Sequence, residues 1–211
     1  MRQAPTTGLA LNFQNILRKN PIIAAVRDVA GINISAWPDI GVIFVLGGTI
    51  FDLPSIVKEA HRHNKLVFAD IDLVKGIGKD TAGVHFLATE RGVDGIITTR
   101  SSFIKSIKDE GLLAIERMFV LDSESLNGGL GIVQKSRPDA IEVLPGLILP
   151  RIMQKIRAVT SIPVIAGGLI TEQADLREVL AAGAIGASTS ATGLYHSCGE
   201  RVPNRSVPSR S

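Results

Sequence analysis

Eight short apolar, β-branched runs, each ending in glycine, charged or hydroxyl residues, alternate with helix-like segments along 211 residues. This alternation predicts an α/β chain folded as a small TIM (β/α)8 barrel. Two further observations support it. Aromatic residues are only 4% of a chain that is 45% hydrophobic, so the core is built from Ile, Leu, Val and Ala, which suits a parallel sheet buried on both faces. The first run ends in Arg27-Asp28 and lacks the glycine-rich fingerprint of an open nucleotide-binding sheet. Glycine and serine collect instead after the last two runs, where barrels usually bind phosphate.

The predicted strands are Ile22–Val26, Val42–Leu46, Leu66–Ile71, Gly95–Thr99, Arg117–Leu121, Ala140–Leu144, Pro163–Ala166 and Ile185–Ser188. Each reads as a buried parallel strand feeding a loop. Between them, helices are expected over Asp52–Asn64, Asp80–Gly92, Ser101–Gly111, Ser123–Ser136, Pro150–Thr160 and Thr171–Ala182. Asp52 is a candidate N-cap with Pro54 in the first turn, Ile170 is placed to staple the last helix, and Gly183 stops it.

One barrel domain is expected over residues 1–196. From Ser197 the composition shifts to Ser, Arg and Pro, and 197–211 reads as a basic, disordered tail. Arg201, Arg205 and Arg210 against Glu200 place most of the net charge of +3 there, so the barrel is nearly neutral. The basic pI of about 9.2 is therefore a weak argument for nucleic acid. No apolar run reaches the roughly 18 residues of a membrane span. The N-terminus lacks an apolar h-region with a small-residue cleavage site, so no signal peptide is read. The single cysteine, Cys198, excludes an internal disulfide and fits a reducing, cytoplasmic location.

The chemistry concentrates in IPVIAGGLITEQADL, Ile162–Leu176. A strand ends there, Gly167-Gly168 lets the backbone approach a ligand, and a helix begins with free N–H groups that favour an anion. The eighth run then ends in Ser188, Thr189 and Ser190, whose hydroxyls can donate to phosphate oxygens. Two such loops in succession at the end of a barrel point to a phosphate site made by Gly167, Gly168, Ser188, Thr189 and Ser190. Charged residues also stand at predicted strand ends: Arg27, Asp28, Asp70, Asp72, Arg100, Arg117, Asp122 and Glu142. They make the mouth polar and suited to a hydroxylated ligand, although a structural ion pair such as Glu142 with Arg117 would serve burial equally well.

Other features carry less. KGIGKD, Lys75–Asp80, lacks Walker spacing and reads as a mobile loop with two lysines. His61 and His63 do not share a helical face, which argues against a metal site. Neither His85 nor His196 stands in a recognisable nucleophile motif. No catalytic residue, metal or cofactor is read from the sequence.

IEVLPG (Ile141–Gly146), AGGLI within Ile162–Ile170, ITTRS (Ile97–Ser101), DLVKGI (Asp72–Ile77) and RMFVLD (Arg117–Asp122) together resemble the glycerol uptake operon antiterminator family. The resemblance runs from about Asn20 to His196 and implies a regulator that responds to sn-glycerol 3-phosphate. Such a regulator acts on the leader mRNA of glycerol-utilisation genes, letting polymerase pass a terminator. Carried over by position, Gly167, Gly168, Ser188, Thr189 and Ser190 hold the phosphate. Arg27, Asp72 and Glu142, with Arg100 and Arg117, form the polar mouth around the glycerol part. Two positions depart from the family pattern: Asp70 stands where histidine is common, and Tyr195 where tryptophan is found.

The RNA expectation rests on resemblance, because the sequence has no RNA-recognition motif and few aromatics for stacking. Two other readings remain open. One is an aldolase, isomerase or prenyl transferase on a phosphorylated small molecule, for which a lysine at a strand end is wanting; Lys75 lies just past one. The other is a phosphate sensor that acts through a protein partner. Barrels often associate through their helical faces, so a homodimer is compatible with the sequence, but no residue compels it.

Overall fold

The computed structural model describes residues 5–196, and the expected tail over 197–211 lies outside them. Its strands are β1 (Ile22–Val26), β2 (Val42–Val45), β3 (Leu66–Asp70), β4 (Gly95–Thr98), β5 (Leu113–Phe119), β6 (Ala140–Leu144), β7 (Val164–Gly167) and β8 (Gly186–Thr189). All are parallel and pair in chain order, and β8 pairs back to β1 through Ile22–Ala187 and Ala24–Thr189, closing the barrel. The helices are α1 (Pro5–Lys19), α2 (Leu53–Arg62), α3 (Thr81–Thr89), α4 (Ile104–Asp109), α5 (Ser123–Ser136), α6 (Leu149–Val159) and α7 (Gln173–Ala181). None of them is long and apolar enough to cross a membrane.

The structure departs from the sequence expectation in three places. Strand β5 starts at Leu113, four residues before the expected Arg117, because Leu112–Ile115 is an apolar run that continues into the charged Glu116-Arg117. The segment Ser101–Gly111 divides into a 3-10 turn (Ser101–Phe103) and the short α4. A helix that the sequence reading did not place, α1, precedes the barrel, while β1 and β2 are joined, as no helix was expected there, by a segment with a 3-10 turn at Ile34–Ala36.

Helix α1 has a clear packing role. Phe13 and Leu17 are buried in the same apolar cluster as the inward-facing Ile23, Val42, Phe44, Leu66, Phe68, Ile97, Leu113 and Ile115. Phe13 meets Phe68 with ring centroids 5.2 Å apart, and Phe68 meets Phe44 at 5.5 Å. The helix thus plugs the end of the barrel at which the strands begin. Gly95 makes room for this stack: a Cβ there would lie 2.3 Å from Phe68 Cε1. A second cluster fills the layer between strands and helices, with Ile43, Val67, Ile96, Val143 and Val164 against Ile56, Leu87, Ile104, Val133 and Ile156.

The period of two in each strand sorts side chains between these layers. Inside, the lower levels are aliphatic and aromatic. At the opposite, C-terminal end the inward positions become Asp70, Arg117, Glu142 and Ser188, all buried. Among the inward-facing strand positions, charge is confined to one end, and that end is the mouth.

Candidate ligand site at the barrel mouth

Arg117 organises the floor of the mouth. It is an inward residue near the C-terminal end of β5, in register with Glu142 on β6. Its Nε donates to Glu142 Oε2 at 2.7 Å and its Nη1 donates to Asp70 Oδ2. Glu142 Oε1 accepts the Ser188 hydroxyl at 2.6 Å. Asp70 Oδ1 accepts the amides of Asp72 and Leu73, at 2.9 and 3.1 Å. The ion pair foreseen between Glu142 and Arg117 therefore exists, with Asp70 as a third member. One cation faces two carboxylates, so the cluster carries an excess negative charge when fully ionised. Burial pushes the Asp70 carboxyl up, against the opposing pull of Arg117. The Arg117 guanidinium, although desolvated, is held more firmly protonated by Glu142 and Asp70.

Gly167 and Gly168 do different work. A Cβ on Gly167 would lie 2.7 Å from Glu142 Oε1, so this glycine is required by the packing of the floor. Gly168 adopts φ +74° and is followed by Leu169 at φ +62°, a left-handed pair that turns the chain over the mouth. The carbonyl of Gly168 accepts the amide of Gly146, tying this loop to the one after β6. The amides of Thr171 and Glu172, ahead of α7, already donate to Asp175 Oδ2 at 2.9 and 3.0 Å. The helix terminus is thereby capped from within, and the loop from Gly168 to Thr171 is the part of this segment that lines the cavity.

That cavity has a volume of about 330 Å³ and is lined by Arg27, Asp72, Arg117, Glu142, Gly168, Ser188 and Ser190 among others. Leu73, Phe119 and Leu169 form its apolar rim and are themselves 40%, 54% and 68% exposed. Because β1 and β8 are neighbours, Arg27, one residue past β1, stands beside the serines at the end of β8.

Three expected residues do not line the cavity: Gly167, which packs against Glu142, and Thr189 and Arg100. Thr189 follows Ser188 and so faces outward; its hydroxyl donates to the Ile170 carbonyl at 2.6 Å, and it does not line the cavity. Arg100 pairs with Asp72 Oδ1 at 3.2 Å outside the cavity. Asp72 does line it, but its Oδ2 accepts the Thr98 and Thr99 hydroxyls and the Thr99 amide, so it positions the β4 loop. Lys75 is pinned by backbone bonds to Gly48 and Ile50, which ties down the start of the loop expected to be mobile. His61 bonds Asp94 and His63 bonds Glu59, and no cluster that could hold a metal occurs among the described residues. Tyr195, in the tryptophan position, donates its buried phenol to the Thr189 carbonyl and packs edge-on against Trp37.

Asp70 was legible as a charged strand end, but its membership of the floor depends on inward parity. Leu169, with its unusual φ, and Phe119 were not read as site residues; Phe119 shares the parity of Arg117 within the expected strand but carries no polar group to mark it.

Fold and site define a single parallel barrel with a polar pocket at its C-terminal mouth, built on a buried arginine–carboxylate floor. Residues 22–195 match the family model described as glycerol-3-phosphate responsive antiterminator, and the chain belongs to that family. It is similar to the crystal structure of the glycerol uptake operon antiterminator regulatory protein of Listeria monocytogenes, with 36% identity, TM-score 0.73 and coverage of 81% of this chain and 92% of that one. A glycerol uptake operon antiterminator-related protein from Thermotoga maritima is 32% identical, with TM-score 0.73 and coverage of 82% and 96%. Uncharacterized protein YgcP of Escherichia coli strain K12 is 35% identical over 181 residues, 86% of this chain and 94% of that protein.

Proposed function

We propose that this chain senses sn-glycerol 3-phosphate in the cytoplasm and regulates glycerol-utilisation genes as an antiterminator that binds the mRNA leader. The observation that carries the reading is the convergence, in a family of this description, of the Gly168 loop, Ser188, Ser190 and Arg27 on one cavity. The phosphate is taken by the backbone at Gly168 and Leu169 with the Ser190 hydroxyl, and Arg27 supplies the countercharge. The glycerol hydroxyls face Glu142 and Arg117, which present an acceptor and a donor in fixed positions. Leu73, Phe119 and Leu169 then close over the ligand, shifting the loops toward the state that binds RNA.

The reading is regulatory rather than catalytic. None of the eight strands carries a lysine that could form a Schiff base. Glu142 and Asp72, the carboxylates that line the cavity, are engaged by Arg117 and Arg100 respectively, which disfavours proton transfer by either.

The test is binding of leader RNA with and without sn-glycerol 3-phosphate across a salt series. The ligand is expected to change RNA affinity at every salt concentration. Equal affinity in its presence and absence would overturn the proposed response.

A further inference from the structure

The barrel is nearly neutral overall, yet its exposed charge is unevenly placed. Between Ser125 and Thr171 the only carboxylates are Asp139 and Glu142. Asp139 is bridged to Lys108 at 3.3 Å, and Glu142 is buried against Arg117. The same stretch exposes five cations: Lys135 at the end of α5, Arg137 just after it, and Arg151, Lys155 and Arg157 on α6. None of the five forms an ion pair among the described residues; Arg157, two residues past Lys155 and so on another side of α6, donates to the Gly183 carbonyl after α7, which leaves Lys135, Arg137, Arg151 and Lys155 for the flank. Other flanks differ. Arg62 on α2 pairs with Glu59, Lys105 on α4 with Asp109, and α7 carries its own Asp175 and Glu178.

A groove adjoins this flank. It is lined by Ser101, Ser102, Lys105, Lys135 and Ser136 with the half-exposed Ile132, and has a volume of about 400 Å³. Hydroxyls interspersed with lysines are the side chains that contact phosphate and ribose oxygens. Neither the five cations nor the groove lining includes an aromatic residue on which an unpaired base could stack. By contrast, the loops and helix starts at the mouth mix Arg27, Lys75, Lys79 and Arg100 with Asp28, Asp52, Asp72, Asp80, Asp122 and Glu124, so acids outnumber cations there.

We infer that the α5–α6 flank, with the groove beside α4, is the RNA-docking face, and that it takes the sugar–phosphate backbone of a base-paired stem. The inference rests on the RNA-binding reading above. The flank is joined to the pocket: Arg151 stands in the first turn of α6, and the 3-10 turn that leads into this helix begins at Gly146, whose amide donates to the Gly168 carbonyl. A ligand that moves the Gly168 loop therefore pulls on the start of the basic helix.

The test compares the full chain with K135Q/R151Q/K155Q and with a control, K58Q/R62Q, on the α2 flank. The probes are an RNA hairpin stem of about 20 base pairs, a single strand of equal length and a DNA duplex of equal length, in a salt series with sn-glycerol 3-phosphate present. Each lost phosphate contact lowers the slope of log affinity against log salt by about 0.9, so the triple variant should lose between about 2 and 3 in slope and about two orders of magnitude in affinity at 0.1 M salt. The control should bind like the parent, and the stem should bind more tightly than the single strand or the DNA. An unchanged slope in the triple variant, or an equal loss in the control, overturns the face while leaving RNA binding intact. Equal or tighter binding of the single strand or of DNA overturns the stem. No binding of any RNA by the parent chain overturns both this inference and the function on which it rests.

Discussion

Arg117 is shared by two buried carboxylates, and its removal isolates both. Breaking a buried ion pair from one side costs about 3–5 kcal/mol, because the remaining charge has neither water nor partner. Arg117→Met is therefore expected to lower unfolding free energy by about that amount at neutral pH, measured by urea denaturation. The loss should shrink in acid. Burial pushes Asp70 above the ordinary carboxylate value, so its ionisation opposes folding. Its contribution is most favourable below the unfolded-state value and falls as pH rises to the raised one. Without Arg117 nothing opposes the effect of burial on Asp70, so the variant should lose stability more steeply than the parent as pH rises through the carboxylate range. A variant with parental stability and pH profile would show that the cluster is not held by this cation.

At the scale of elements, two substitutions separate packing from site geometry. Leu17 on α1 is 1% exposed and plugs the barrel, so Leu17→Ala should cost about 2–5 kcal/mol in denaturant unfolding without altering the mouth. Gly167→Ala on β7 should do the reverse. Its new methyl displaces the Glu142 carboxylate and with it Ser188, so ligand affinity is expected to fall by about tenfold or more while the fold is retained. Equal affinity in Gly167→Ala would remove Glu142 from the account. The elements themselves were largely legible. Ile22–Val26, Ala140–Leu144 and Ser123–Ser136 emerge with the bounds read from the sequence, because apolar runs closed by glycine, proline or a capping aspartate leave little choice. Helix α1 was not legible: Phe13 and Leu17 gain their meaning only from the Phe68 stack they cover, a contact remote in sequence. The site was legible by position but not by direction. Gly168, Ser188 and Ser190 line the cavity, whereas Thr189 and Arg100 lie just outside it, and one residue of strand parity makes the difference.

For the molecule as a whole, one end of the barrel is dedicated to packing and the other to recognition. Aliphatic levels and the α1 plug stabilise the closed sheet, which leaves the mouth free to hold a charged floor and exposed apolar rim residues. If the rim closes as proposed, it buries Leu73, Phe119 and Leu169, and ligand binding should carry a negative heat-capacity change. Gly168 at the cavity is bonded to Gly146 at the turn that leads into α6, the contact through which the proposed ligand would act on the basic flank.

Calorimetric titration with sn-glycerol 3-phosphate, with glycerol and inorganic phosphate as controls, tests the central claim most directly. Gly168→Asp is the matching variant: aspartate tolerates a left-handed φ better than most residues, the site has ordinary contact distance to Leu144, and the new carboxylate repels an anion. Selective binding of the ester by the parent chain, abolished in Gly168→Asp, is the predicted result. Absence of binding, or equal binding by the folded Gly168→Asp variant, would contradict a glycerol 3-phosphate site at this mouth.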